Sequence, residues 1–354
     1  MNKQINVLIT GVGAPGIMGT IYSLKNNYDK RKIFIIGTDM KDDVVGSYIC
    51  DKFYVIPSAK KNNHYIDKLL KICKNENVHV LLPQNTFELE ILANNYDNFL
   101  SIGTKVVLAS KNSIKIANDK YHLMSICNDI GVPVGQFYKV NNSNELLSKA
   151  KLLGWPSKNI VVKPPISNGM RGVRIISESI NKKKMFYDQK PTSLFVKMND
   201  LVGILGSNFP DLIVTEYLPG KEYTVDVFRS DKNITVIPRI RHDIRSGITF
   251  SGEVINNKEL IRYCTIISEK LNLKNCYGFQ FKLDENNVPK ILESNPRIQG
   301  TMVLATIANA NIIYASVKKA LSEEVDEFDI KWGTIFKRYW GGIGITDAKK
   351  TIFI

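Results

Sequence analysis

The chain has 354 residues, 44% of them hydrophobic, and a formal net charge of +14 at pH 7. That length holds two or three domains around a large core, and no run of about 18 uninterrupted apolar residues marks a membrane span. The lysines are spread among many Asn and Ile with no basic-aromatic cluster, so the charge reads as compositional bias plus some pull on anionic ligands, not as a nucleic-acid surface.

The first apolar run, 5–10 (INVLIT), reads as a buried strand. It meets Gly11, Gly13, Pro15 and Gly16 at once, which marks a strand and a turn, not a signal peptide. A helix-like TIYSLKNN follows, then a second strand, KIFIIGTD, ending at Asp39. Glycines between a strand and a helix let backbone N–H groups approach an anion at the helix N-terminus. With Asp39 in the ribose position, G-x-G-x-x-G admits a dinucleotide site; a plain βαβ turn reads equally well. Strand-like pieces recur at 53–57, 78–83 and 105–110, with helical pieces between them such as 64–77, which argues a parallel sheet covered on both faces. Gln84, Asn85 and Glu88 close the 78–83 strand and are candidates for substrate contacts, with helix capping as the plainer alternative.

The pattern changes near 112. Asp119-Lys120-Tyr121 begins an amphipathic helix with Leu123, Met124, Ile126, Cys127 and Ile130 as its apolar stripe, stopped by Gly131 and Pro133. In 159–176 (NIVVKPPISNGMRGVRII) a strand ends in Lys163 and a second strand resumes after SNGMRGV. Gly169 and Gly172 permit close backbone approach to phosphate, with Ser167 to Gly172 (Asn168 among them) as the holding turn, and Lys163 suits a phosphate oxygen. G-K-[ST], H-R-D and D-F-G are all absent, so this is neither a Walker nor a protein-kinase loop. The segment 212–228 runs a strand into Glu216-Tyr217-Leu218, turns at Pro-Gly, and continues as EYTVDVF with Glu222 and Asp226 on one face, where Asp226 reads equally as pointing into a cleft or as a charge on a solvated strand face. Arg239, Arg241 and Arg245 follow; Arg239 and Arg241 share a strand face and match a carboxylate or phosphoryl group, or a salt-bridged exposed strand. SGITFSG (246–252) reads as a loop closing over substrate, and 257–273 as an amphipathic helix.

Two strands around a polar turn then make up 277–301. Phe279, Phe281 and Leu283 point one way and Gln280 and Lys282 the other; on the return, Ile291, Glu293 and Asn295 share a face. Paired as a hairpin, Gln280, Glu293 and Asn295 converge as three oxygen donors suited to Mg²⁺ brought in by a polyphosphate, and Arg297 is placed for a phosphoryl oxygen; on these residues alone a surface hairpin with ordinary polar side chains reads equally well. The stretch 301–317 reads as one buried helix, and the tail as a strand packed back with aromatic anchors. Cys50, Cys73, Cys127, Cys264 and Cys276 are scattered without C-x-x-C, and the four histidines lack metal spacing, which points to a reducing cytoplasm and no zinc site.

In order, DKY, VVK-P with its glycine loop, EYLPGKEYTVD and Q-x(12)-E-S-N-P-R resemble the motifs of ATP-grasp enzymes, in particular the carbamoyl-phosphate-synthase-like branch. The resemblance covers about residues 1–320, with specific motifs in 119–300. It implies an α/β (α+β) fold: a Rossmann-like N-terminal domain (1–111) that helps hold the acceptor, then a two-lobed ATP-grasp fold with a small lobe (112–210) and a large lobe and tail (211–354). It implies that Lys120 and Lys163 reach the ATP phosphates and that Glu216-Tyr217-Leu218 lines the adenine pocket. Glu222 would take the ribose hydroxyls, Gln280, Glu293 and Asn295 would hold Mg²⁺ (or Mn²⁺), and Arg297 would lie just beyond. The implied activity is phosphoryl transfer from ATP to a small-molecule carboxylate, then capture by an amine or thiol, in a cytoplasmic, homodimeric enzyme free of membrane and nucleic acid. An ATP-binding module without ligase chemistry and an NAD-dependent oxidoreductase are the alternatives.

Overall fold

A computed structural model describes residues 4–60, 64–167, 169–188, 193–346 and 351–353. The first sheet contains β1 (Ile5–Thr10), β2 (Ile33–Asp39), β3 (Lys52–Val55), β4 (Val80–Leu82) and β5 (Lys105–Val106), all parallel, in the order β3-β2-β1-β4-β5. Val7, Leu8 and Ile9 are fully buried, so β1 is covered on both faces, as a parallel sheet requires. The strand order reverses between β1 and β4, and the crevice beyond their carboxyl ends is where such sheets bind ligands.

The second sheet orders β6 (Phe137–Asn142), β7 (Ile160–Lys163), β8 (Arg174–Ile176), β9 (Phe195–Val196) and β10 (Asn208–Glu216) as β6-β10-β7-β8-β9. Alternation along β7 buries Ile160 and Val162 against the helices Ser143–Leu152 and Met198–Leu205, and leaves Val161 and Lys163 on the opposite face.

The third sheet is antiparallel throughout. It contains β11 (Glu222–Arg229), β12 (Ile234–Arg245), β13 (Ile248–Val254), β14 (Asn275–Leu283), β15 (Pro289–Asn295) and β16 (Ile335–Lys337), ordered β15-β14-β11-β12-β13-β16. Tyr223, Val225, Val227, Phe279 and Phe281 pack with the helix Lys258–Lys270 in one core. The other face is apolar at one end, where Phe228, Ile237 and Cys276 meet the helices Val303–Ile307 and Ile312–Ala320, and polar at the other. Those two helices also carry the first sheet: Asn311 Nδ2 donates to the Ser23 carbonyl at 2.6 Å, and Lys318 pairs with Asp29 at 2.9 Å.

Four expectations need correction. SGITFSG is not a loop: only Ser246 and Gly247, with φ of +49° and +79°, form the turn of the β12–β13 hairpin, the two-positive-φ geometry that suits the strand twist. The stretch 301–317 is two helices, broken where Asn309 adopts φ +66° and Asn311 caps the second by accepting from Tyr314 N–H at 3.1 Å. Ile291 does not share a face with Glu293, because Leu292 is an extra residue: Phe281 pairs with Ile291 but Gln280 with Glu293. Such a bulge turns the strand over. The tail does pair as β16 beside β13, but Tyr339 and Trp340 are largely exposed rather than anchored in the core; Trp340 leans on Phe250 at 5.0 Å.

Candidate active site

The cleft is set by register. Across β12, β11, β14 and β15, one row reads Arg239, Thr224, Gln280, Glu293, and the next reads Ile237, Asp226, Gly278, Asn295. A third row holds Arg241, Glu222 and Lys282. The small sheet and its flap face these rows, and the loops after β1 and β4 close one end. Together they enclose a cavity of about 810 Å³, in the range of small-molecule sites.

Lys120 begins the helix Lys120–Asp129, capped by Asp119, whose carboxylate accepts from Tyr121 N–H at 2.8 Å. Its ammonium is buried, donates to the Ser167 carbonyl at 3.1 Å and lies 3.3 Å from Glu293 Oε2. Lys163 ends β7, is also buried, and donates to the carbonyl of the bulged Leu292 at 3.2 Å. Burial, then the neighbouring Lys120 charge, push its pKa down to about 8, against the pull of Glu293. Two buried ammoniums therefore meet around one carboxylate. Gln280 and Asn295 flank Glu293, and Asn295 Nδ2 donates to Glu293 Oε1 at 3.4 Å. Arg297 donates to Thr86 Oγ1 at 3.1 Å and Asn295 Oδ1 at 3.2 Å, and burial pushes its pKa down.

Arg239 and Arg241 share a face, as the alternation predicts, but differ in what they leave free. Arg239 is 1% exposed; its Nε and Nη2 form a fork on Asp226 at 2.6 and 2.9 Å, and its Nη1 is buried without a partner among the described residues. Asp226, fully buried, is thus the holder of Arg239, neither a ligand contact nor a solvated residue. Burial pushes its carboxyl up and Arg239 pulls it back. All three nitrogens of Arg241 have partners: Glu222, Thr249 Oγ1 at 2.9 Å and the Gly247 carbonyl at 2.7 Å.

The segment expected at the adenine, Glu216-Tyr217-Leu218, lines the cavity, though its side chains are differently engaged. Glu216 accepts from Gln136 N–H at 3.2 Å, on the linker, while Leu218 is buried at the cavity wall and Tyr217 carries Lys282 Nζ 5.4 Å above its ring. Val161, Ile175 and Leu292 complete an apolar wall; they were missed because a strand valine carries no chemical mark. Gly169, Met170 and Gly172 all take positive φ in the flap, which Ser167 enters; Asn168 lies outside the described residues.

At the far end, capping is what Asn85 and Glu88 do. Asn85 accepts from Phe87 N–H at 3.1 Å, and Glu88 accepts from Asn85 N–H at 2.8 Å, Thr10 at 2.5 Å and the Tyr65 hydroxyl at 2.5 Å. Burial pushes the Glu88 carboxyl up against those donors. Gln84 and Gln299, the latter unremarked in the sequence, each line the cavity with a buried Nε2 that has no partner among the described residues. The glycine loop has packing duties: Asp39 Oδ2 accepts from Gly13 N–H at 2.8 Å, and a Cβ on Gly16 would lie 2.5 Å from the Gly300 Cα. That contact explains the third glycine without a dinucleotide.

Residues 208–336 match the family described as ATP-grasp in the biosynthetic pathway with Ter operon, and residues 7–107 match the PylC-like N-terminal domain. The chain carries an ATP-grasp domain behind a PylC-like N-terminal domain. The chain is 22% identical over 276 residues to the carbamoyl phosphate synthase large chain of Clostridium acetobutylicum, a match that covers 74% of this chain but 24% of that one; it thus spans about a quarter of that relative. In structure it is similar to a biotin carboxylase–β,γ-ATP complex from Campylobacter jejuni, with TM-score 0.68 and 16% identity over 97% of this chain and 76% of that one. It is also similar to the N5-carboxyaminoimidazole synthetase of Staphylococcus aureus complexed with ADP, with TM-score 0.66 and 15% identity over 92% and 80% of the two chains. No helix among the described residues is long and apolar enough to cross a membrane.

Proposed function

We propose that this protein is an ATP-dependent ligase that activates a small-molecule carboxylate as an acyl phosphate and joins it to an amine. The observation that carries the reading is the surplus of buried positive charge between the lobes: Lys120 and Lys163 face Glu293, with Arg239 Nη1 unpartnered in the same cavity. Buried cations without enough anions call for an anionic ligand, and a triphosphate suits the space between flap and hairpin.

In that reading a carboxylate oxygen of the acceptor attacks the γ-phosphorus, the bond to the β–γ bridging oxygen breaks, and ADP leaves; the amine then displaces phosphate at the acyl carbon. Lys120, Lys163 and the flap from Ser167 to Gly172 hold the phosphates. Glu216-Tyr217-Leu218 borders the adenine, Leu218 with its side chain, and Glu222 accepts from the ribose hydroxyls. Arg297 and Arg239 face the acceptor carboxylate and the transferring group, where fixed positive charge lowers the barrier. Arg241, whose nitrogens are engaged, acts through Glu222 instead.

Gln280, Glu293 and Asn295 would hold Mg²⁺, or Mn²⁺. The donor chemistry fits: Gln280 stands opposite Glu293, Asn295 Nδ2 lies 3.4 Å from Glu293 Oε1, and one carboxylate with two amides suits an ion that arrives with a polyphosphate. The metal, when bound, would neutralise phosphate charge. We divide the chain into an acceptor-holding domain (1–111), a small lobe (112–210) and a large lobe with tail (211–354), and assign it to the cytoplasm as a homodimer; light scattering tests the dimer.

The reading is tested by an ADP-release screen with Mg-ATP over amino acids, peptides, sugar acids and bicarbonate, each with and without an amine. Acceptor-dependent ADP release in the wild type and its loss in a folded Glu293→Ala variant is expected. Full turnover in that variant refutes the metal assignment. ATP binding with no acceptor-dependent ADP release favours a binding module instead.

A further inference from the structure

Arg241 is firmly held, yet the phosphoryl-transfer chemistry does not use it. It pairs with Glu222 across the β11–β12 register, its side chain 4% exposed and that of Glu222 21%. Its other two nitrogens bind the β12–β13 hairpin, through Thr249 Oγ1 on β13 at 2.9 Å and the Gly247 carbonyl in the turn at 2.7 Å. That turn also touches the flap: a Cβ on Gly247 would lie 3.1 Å from Met170 Cγ and Sδ. One guanidinium therefore ties the Glu222 carboxylate to the element on which the flap tip rests.

On the opposite side, Glu222 stands in register with Lys282, whose ammonium is occupied over the Tyr217 ring. Without Arg241, the carboxylate has a second cation within its row to turn toward. With Arg241, it is fixed on the cleft face and presents lone pairs only.

We propose that Arg241 is a positioning residue for sugar recognition: it fixes Glu222 so that the cleft selects ribose over deoxyribose nucleotides. The inference rests on the assignment of Glu222 to the ribose. A hydroxyl that donates to a pre-fixed carboxylate makes a charge-assisted bond with little side-chain entropy lost on binding. A carboxylate free to rotate toward Lys282 offers much less.

The test is calorimetric titration with Mg-ATP, Mg-2′-deoxyATP and Mg-3′-deoxyATP of the wild type, Arg241→Gln, Arg241→Lys and Thr249→Val. In the wild type at least one deoxy nucleotide should bind about tenfold or more weakly than ATP. Arg241→Gln should bring that ratio to within about threefold, chiefly by weakening ATP, and Arg241→Lys should restore part of it. A general structural defect would weaken all three nucleotides alike and leave the ratio unchanged, which overturns the proposal. Should Arg241→Gln fail to fold, Thr249→Val decides: a fall in the ratio supports the proposal and an unchanged ratio overturns it. If ATP does not bind the wild type at all, the nucleotide reading itself has failed; if ATP binds without discrimination, only the role of Arg241 and Glu222 has.

Discussion

Lys163 offers a proton count. Its ammonium is buried at the end of β7 with a single hydrogen-bond partner among the described residues, the Leu292 carbonyl, and its pKa falls from 10.5 to about 8. That drop of about 2.5 means the folded, ligand-free protein disfavours the charged lysine by about 3 kcal/mol. The folded pKa lies below the unfolded one, so between about pH 8 and pH 10.5 the unfolded chain binds more protons and stability rises with pH; below about pH 8 the full cost remains. A polyphosphate beside Nζ reverses the electrostatics. At pH 9 only about one-tenth of free molecules carry the proton, so binding should take up about 0.9 proton, against about 0.1 at pH 7. Calorimetry of ADP binding in two buffers of different ionisation enthalpy measures this directly. Lys163→Met should abolish the uptake at pH 9 and also flatten the rise of melting temperature between pH 8 and pH 10.5. Equal uptake in wild type and variant at pH 9 would refute the assignment of Lys163 to a phosphate.

Asp226→Ala should destabilise the protein by about 3–5 kcal/mol in urea unfolding, because it strands a buried guanidinium; an Asp226→Leu/Arg239→Met double variant should recover most of that while losing any acceptor binding. A loss under about 1 kcal/mol for the single variant would mean that Arg239 is not held as the geometry implies. Gly16→Ala sets a methyl 2.5 Å from the Gly300 Cα and should cost about 1–3 kcal/mol. Gly203→Ala, with open space around its site in the helix Met198–Leu205, should be neutral or stabilise by about 1 kcal/mol; equal effects of the two would refute the close seam between the first sheet and the large lobe.

The parts of the fold legible in the sequence are those that periodicity controls. β1 and β2 emerge where a continuous apolar run marks a strand buried on both faces, and β7, β11 and the helix Lys258–Lys270 emerge where strand alternation or a 3.6-residue stripe predicts them. What escaped was local and compensated by tertiary contact. A left-handed Asn309 splits one apolar stretch into two helices, and a two-residue turn at Ser246-Gly247 makes a strand of what looks like a substrate loop. That Lys120, Lys163, Gln280, Glu293 and Asn295 line one cavity was legible from the order of the motifs they sit in and from the pairing of two strands around a polar turn. Asp226 was only half legible: its face follows from alternation, but its fork on Arg239 depends on which residue stands opposite on β12, a matter of register that no spacing in the sequence specifies.

Register also explains why the site depends on an irregularity. Were β15 uninterrupted, Ile291, Glu293 and Asn295 would share one face, and the isoleucine would stand in the cleft or the carboxylate in the core. Ile291 is 1% exposed against Phe281, and Glu293 stands beside Gln280 on the cleft side, only because Leu292 is inserted between their partners. The same residue leaves a ladder position, and its carbonyl is the one Lys163 reaches at 3.2 Å. A bulge frees a backbone group from sheet pairing and re-aims the next side chain. Here one extra residue does both: it brings the carboxylate into the cleft and gives the buried lysine a partner until an anion arrives.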